Sequence, residues 1–110
     1  MIVWSKKLFT SDSINEKKLK KIKKKLLKPD KIRFGAHLIT LNTNGSDLFD
    51  IYSIMFFPAR HFKKDEYDAK IIGVAGGGKE AQELVGEIIT KFMEEGIELS
   101  PEGAKEYFNE

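Results

Sequence analysis

The chain has 110 residues and a mass of 12.6 kDa, a size that suits one domain, and its 41 % apolar and 11 % aromatic content suffices for one core. It contains no cysteine, which excludes disulfides, thiol catalysis and cysteine zinc sites, and suits a reducing compartment. The net charge of +2 hides a strong asymmetry. Residues 1–64 hold fifteen basic and five acidic side chains, whereas residues 65–110 hold four and twelve. Such polarity favours an anionic partner or head-to-tail contact between copies.

No apolar run approaches the roughly 18 residues of a membrane span, and residues 1–7 are too polar for a signal peptide. The expectation is therefore a soluble, cytoplasmic, single α/β domain over residues 1–110. Residues 2–9 read as a first strand interrupted by Ser5, Lys6 and Lys7. Ser13 and Glu16 have capping-box spacing before a helix whose narrow apolar stripe is Leu19, Ile22 and Leu26. Pro29 disfavours helical dihedrals at Lys28, so that helix should stop there. Residues 32–41 are branched, aromatic and apolar on both faces, which predicts a central strand.

A turn over residues 42–46 follows. Leu48, Ile51, Tyr52 and Met55 then recur at helical spacing, predicting a helix that ends ahead of Pro58. Residues 58–68 form a long polar connection. Residues 70–75 are the third strand and run into Gly76, Gly77 and Gly78. The helix beyond is expected to reach Glu95, with apolar face Ala81, Leu84, Val85, Ile88, Phe92 and Met93, and Gly96 just past its end. Ser100 and Pro101 open a terminal helix that buries Ala104, Tyr107 and Phe108. The order β-α-β-α-β-α-α predicts a small three-layer sandwich with three mainly parallel strands, the alternative being a ferredoxin-like α+β arrangement.

The run from Ile72 to Ala75, the glycine turn, the stretch Glu80 to Val85, and Asp47 to Ile51 after a Thr/Asn turn together resemble small uncharacterised proteins of clostridial-type bacteria. That resemblance covers most of the chain and implies a compact α/β fold, with no assigned activity.

Gly73, Gly78 and Lys79 satisfy the spacing of a phosphate-binding loop between strand and helix. Position 80 is Glu where a magnesium-binding Ser or Thr belongs, Val74 and Ala75 read as strand, and no later strand supplies a second metal ligand. Gly76, Gly78 and Ala81 also match a dinucleotide fingerprint, but no convincing strand follows to complete the βαβ unit. The plain reading is a tight turn into a helix. A narrower expectation remains, an anion held at that helix start. In a parallel sheet the loops leaving the strand ends gather along one edge, which nominates Ser11, Thr43, Asn44, Gly76, Gly77, Gly78 and Lys79, with His61 from the long connection beside Lys63 and Lys64.

The lysine-rich helix of residues 14–28 offers a second surface, in particular Lys17, Lys20, Lys21, Lys24 and Lys28. Like charges at i, i+4 repel, so an anionic partner would relieve them. Nucleic acid suits the charge by counterion release, yet the polar face holds no arginine or aromatic to read or stack on bases. A solvated face is the plain alternative. His37 lies mid-strand as a core or interface residue, and neither histidine has a metal-ligand partner at i+2 to i+4. No cofactor, metal site or catalytic residue is assigned. The favoured reading is a non-catalytic binding or assembly module, homodimeric through Phe49, Phe56, Phe57 and Phe62, and the alternative is a phosphate- or nucleotide-type ligand domain.

Overall fold

The computed structural model describes residues 2–27, 35–41, 48–54 and 69–109. Among them run strand β1 (Ile2–Thr10), helix α1 (Glu16–Leu27), strands β2 (His37–Leu41), β3 (Phe49–Ser53) and β4 (Ala69–Ala75), and helices α2 (Gly78–Glu95) and α3 (Pro101–Tyr107). The strands form one four-stranded sheet in the order β1-β4-β2-β3. β1 and β4 are parallel, while β2 is antiparallel to both β4 and β3. The class is α/β with a mixed sheet.

Two expectations are corrected here. The segment predicted as a second long helix contains strand β3 instead, and the sheet is mixed where mainly parallel strands were predicted. Leu48, Ile51 and Tyr52 satisfy helical spacing, but the same short window also satisfies a period of two. Once it is a strand, Tyr52 and Ile54 fall on one side and Phe49 on the other. β3 pairs antiparallel with β2, so the two strands do not form the parallel crossover that a helix between them would have made. Ile39 pairs with Ile51, and the Ile54 N–H donates to the Ala36 carbonyl at 2.9 Å.

The core lies in two clusters. Neighbours Leu38 and Ile39 are both fully buried yet belong to different ones, as alternation along a strand requires. One cluster joins Leu38, Ile71 and Val74 to Ile22 and Leu26 of α1. The other joins Ile39, Ile72 and Ala75 to Ala81, Leu84, Ile88 and Phe92 of α2 and Ala104 of α3. Each helix thus follows its predicted apolar stripe except at Met93, which was expected on the apolar face of α2 and stands exposed one position past the buried Phe92.

Both strands flanking β4 break register against it. Thr40 pairs with Ile71 and Ile39 with Gly73, leaving Ile72 as the extra residue of a β-bulge. A Cβ on Gly73 would lie 3.1 Å from Ile39 Cδ1 and 3.4 Å from Leu84 Cδ2, so glycine lets α2 approach the sheet there. In β1, Trp4 pairs with Ile71 and Phe9 with Gly73, and the strand bulges over the residues between. The buried Ser5 hydroxyl accepts the Lys7 N–H at 3.0 Å, and Lys6 and Lys7 stand exposed beside it. A bulge carrying lysines on an outer strand discourages edge-to-edge pairing.

Most helix ends follow local rules. Gly96 adopts φ 70°, and the N–H groups of Gly96 and Ile97 return to the Met93 and Phe92 carbonyls at 3.3 and 2.8 Å. Ser100 caps α3 by accepting the Gly103 N–H at 3.0 Å. On α1 the cap is not the predicted Ser13: Asn15 Oδ1 accepts the Lys18 N–H at 2.8 Å. Asn15 is the capping residue, and Ser13 is turned to another use.

Candidate functional site

Because β1 and β4 are parallel, their C-terminal ends lie side by side, and the loops leaving them meet. The Ser11 N–H donates to the Val74 carbonyl at 3.1 Å, and the Ser11 hydroxyl accepts the Gly76 N–H at 3.1 Å. Ser13 Oγ donates to Glu80 Oε2 at 2.9 Å, which links the first loop to the first turn of α2. Gly76 has no room for a side chain, since a Cβ would run into the Ser13 hydroxyl. Gly77 precedes α2 in extended conformation with no side-chain cap, and Lys79 is exposed on the first turn. Ser11 and the triglycine loop are therefore brought together as expected.

The third loop behaves differently. His37 at the start of β2 pairs with Ala75 at the end of β4, so the end of β2 at Leu41 lies towards the opposite end of the sheet. The expected convergence of three loops reduces to two because β2 runs the other way. Thr43, Asn44, His61 and Lys28 lie outside the described residues, as do Phe56, Phe57 and Phe62 of the predicted apolar surface. Phe49 is packed edge-on against Phe92 at 6.1 Å between ring centres, so it serves the core.

His37 takes part in a neighbourhood that strand and helix spacing did not reveal. Its Nε2 lies 3.7 Å from where a Cβ on Gly78 would stand, beside the start of α2. Its Nδ1 is buried and has no hydrogen-bond partner among the described residues. A small cleft between the end of β1 and the first turns of α2 is lined by Asp12, Glu80, Glu83 and Glu87 together with Ser11. Four carboxylates around one cleft repel a phosphate, and Glu80 already accepts from Ser13. Those carboxylates oppose the anion expectation at the cleft itself. Among the described residues, no group of three His, Cys, Asp or Glu side chains is placed to hold a metal ion.

The lysine surface is more extensive. Helix α1 carries seven lysines and one glutamate in twelve residues. Ile22 and Leu26 face the sheet, and the opposite side presents Lys17, Lys20, Lys21 and Lys24, all exposed. Lys18 and Lys25 flank them half-buried, and Lys23 lays its ammonium 5.0 Å from the centre of the Trp4 ring. The acidic counterpart is on α2, α3 and their connection, where Glu80, Glu83, Glu87, Glu94, Glu95, Glu98, Glu102 and Glu106 occur against Lys79, Lys91 and Lys105. No helix among the described residues is long and apolar enough to cross a membrane.

Two tyrosines hold their protons more tightly than usual. Burial raises the Tyr52 phenol above its ordinary 10.0, helped by the charge of Asp50 and a hydrogen bond to it. Burial likewise raises Tyr107, helped by Glu95. The unfolded tyrosines lose protons first as pH climbs past about 10, so the folded state then binds more protons than the unfolded one and stability falls. The contribution is full below pH 10 and absent above the folded values. Chemical denaturation at a series of pH values should show no loss from these groups near neutrality and a decline at alkaline pH. Replacing both with Phe should flatten that decline, and an unchanged alkaline slope would refute the assignment.

No protein-family profile matches this chain, and no curated protein or solved structure matches it at a significant level.

Proposed function

We propose that this chain is a non-catalytic binding module that works by contact between the exposed lysine face of α1 and an anionic surface on a partner. In this reading α1 covers one face of the sheet and α2 with α3 the other, a three-layer arrangement that separates the basic side of the domain from the acidic one. The observation that carries it is the segregation itself. The apolar stripe of α1 is used by the core, while Lys17, Lys20 and Lys24 stand together in water at i, i+3 and i+7. Lysine is a hydrated, flexible point charge, suited to a diffuse anionic surface more than to bidentate recognition of one group. The exposed side of α1 has no arginine or aromatic, which favours an acidic protein surface over nucleic acid.

The test must separate this face from net charge alone. A fluorescent polyglutamate serves as the probe, titrated at low salt against wild type and two variants of equal charge. Lys17→Gln/Lys20→Gln/Lys24→Gln removes three charges from α1, and Lys79→Gln/Lys91→Gln/Lys105→Gln removes three from α2 and α3. Exposed pairs contribute about 0.2–1 kcal/mol each, so the first variant should lose about tenfold in affinity. The second should bind as wild type does. Equal losses would mean that overall charge governs binding, and the reading would fail.

A further inference from the structure

Beside the outer strand β1 runs an open groove along α2, lined by Phe9, Gly86 and Thr90 and by three carboxylates, Glu83, Glu87 and Glu94, with Lys91 the one opposing charge. The three glutamates are exposed and lie on one stripe of the helix, at i, i+4 and i+11. The groove has open floor space. A Cβ on Gly86 would meet nothing within 4 Å, and the Thr90 hydroxyl is turned back onto the Gly86 carbonyl at 2.9 Å.

These acids stand where a helix by itself disfavours them. Glu94 and Glu95 occupy the last turn of α2, at the negative end of its dipole, and that turn has no basic residue. Glu83 and Glu87 repel each other one turn apart. On α1 the pattern is reversed in sign, with Lys17 in the first turn, at the positive end, and Lys20 and Lys24 one turn apart. Each stripe is disfavoured in an isolated chain and is relieved by the other. The spacings agree at two positions of each stripe. Lys17 to Lys24 and Glu87 to Glu94 both span seven residues, a rise of about 10.5 Å along an α-helix.

Resting on the binding role proposed above for α1, we infer that the anionic surface it meets is the α2 groove of a second copy of this chain. The α1 of one copy lies along the groove of the next, Lys17 and Lys24 in register with Glu87 and Glu94, and Lys20 and Glu83 adding to the opposed charge. The two stripes belong to helices packed in different core clusters, so one copy cannot close the contact on itself. The contact is heterologous: every added copy leaves a free lysine face at one end and a free groove at the other. Association of this kind grows with concentration and dissolves in salt.

Sedimentation velocity on the whole chain tests it. At about 200 µM, wild type should form dimers and longer species in about 20 mM salt and return to monomer in about 500 mM salt. Lys17→Gln/Lys20→Gln/Lys24→Gln and Glu83→Gln/Glu87→Gln/Glu94→Gln should each be monomeric at low salt, with unchanged circular dichroism. Mixed in equal amounts they should form a dimer that grows no further, because the first retains only the groove and the second only the lysine face. A monomeric wild type at low salt, a dimer indifferent to salt, or a mixture that stays monomeric would each overturn the inference. A monomeric wild type that still binds polyglutamate through α1 would leave the binding role standing and remove only the second copy as partner.

Discussion

Replacing Phe92 with Ala is expected to cost about 3–5 kcal/mol of folding stability, the range for removing a large buried aromatic. Phe92 is fully buried, and it is the ring on which three elements meet. Its centre lies 6.1 Å from Phe49 of β3, 4.8 Å from Tyr107 of α3 and 6.1 Å from Phe108 beyond it. Truncation therefore removes contacts to the outer strand and the C-terminal helix together, and rings on three sides resist collapse into the cavity. For a domain stabilised by about 5–15 kcal/mol this is a large share. Urea denaturation measures it, with Met93→Ala as the control one residue away, since Met93 is 67 % exposed and should change stability little. A loss at Phe92 no larger than at Met93 would contradict the packing described. The single tryptophan, Trp4, packs against the other cluster, so its fluorescence reports whether both sides of the sheet unfold in one step.

Glycine-to-alanine changes should have opposite signs at two positions in helices. Alanine is preferred to glycine by about 1 kcal/mol within a helix, so each substitution begins with a gain. At Gly86 a Cβ meets nothing within 4 Å, and stability should rise by up to about 1 kcal/mol. At Gly103 a Cβ would collide with the backbone carbonyl of Glu98, in the short connection between α2 and α3. Backbone cannot swing aside as a side-chain end does. The connection is also held at both ends, by the return of Ile97 N–H to Phe92 and by the Ser100 cap on Gly103 itself. Relief must shift α3, and with it Ala104 and Phe108 in the core, so Gly103→Ala should lose about 1–3 kcal/mol. Equal melting shifts in the two variants would refute this account of the α2–α3 joint.

Sequence alone determined the parts of this protein that depend on near neighbours in the chain. The α2 stop at Gly96, the Ser100–Pro101 start of α3 and the apolar stripes of α1 and α2 all follow from rules that act within one or two helical turns. The meeting of Ser11 with the triglycine loop was legible for a related reason, since two parallel strands must end side by side. β3 was not legible because five residues satisfy two periods at once, and only a partner strand chooses between them. That choice reversed β2 and moved its C-terminal end away from the candidate site. Ser13 has capping geometry by spacing, yet its hydroxyl is drawn to Glu80, a residue 67 positions away that no local rule could supply. The approach of His37 to the start of α2 and the acidic groove along β1 have the same origin. Local hydrogen bonds and burial patterns are written in consecutive residues; strand direction and the meeting of distant side chains depend on which surfaces find each other when the sheet closes.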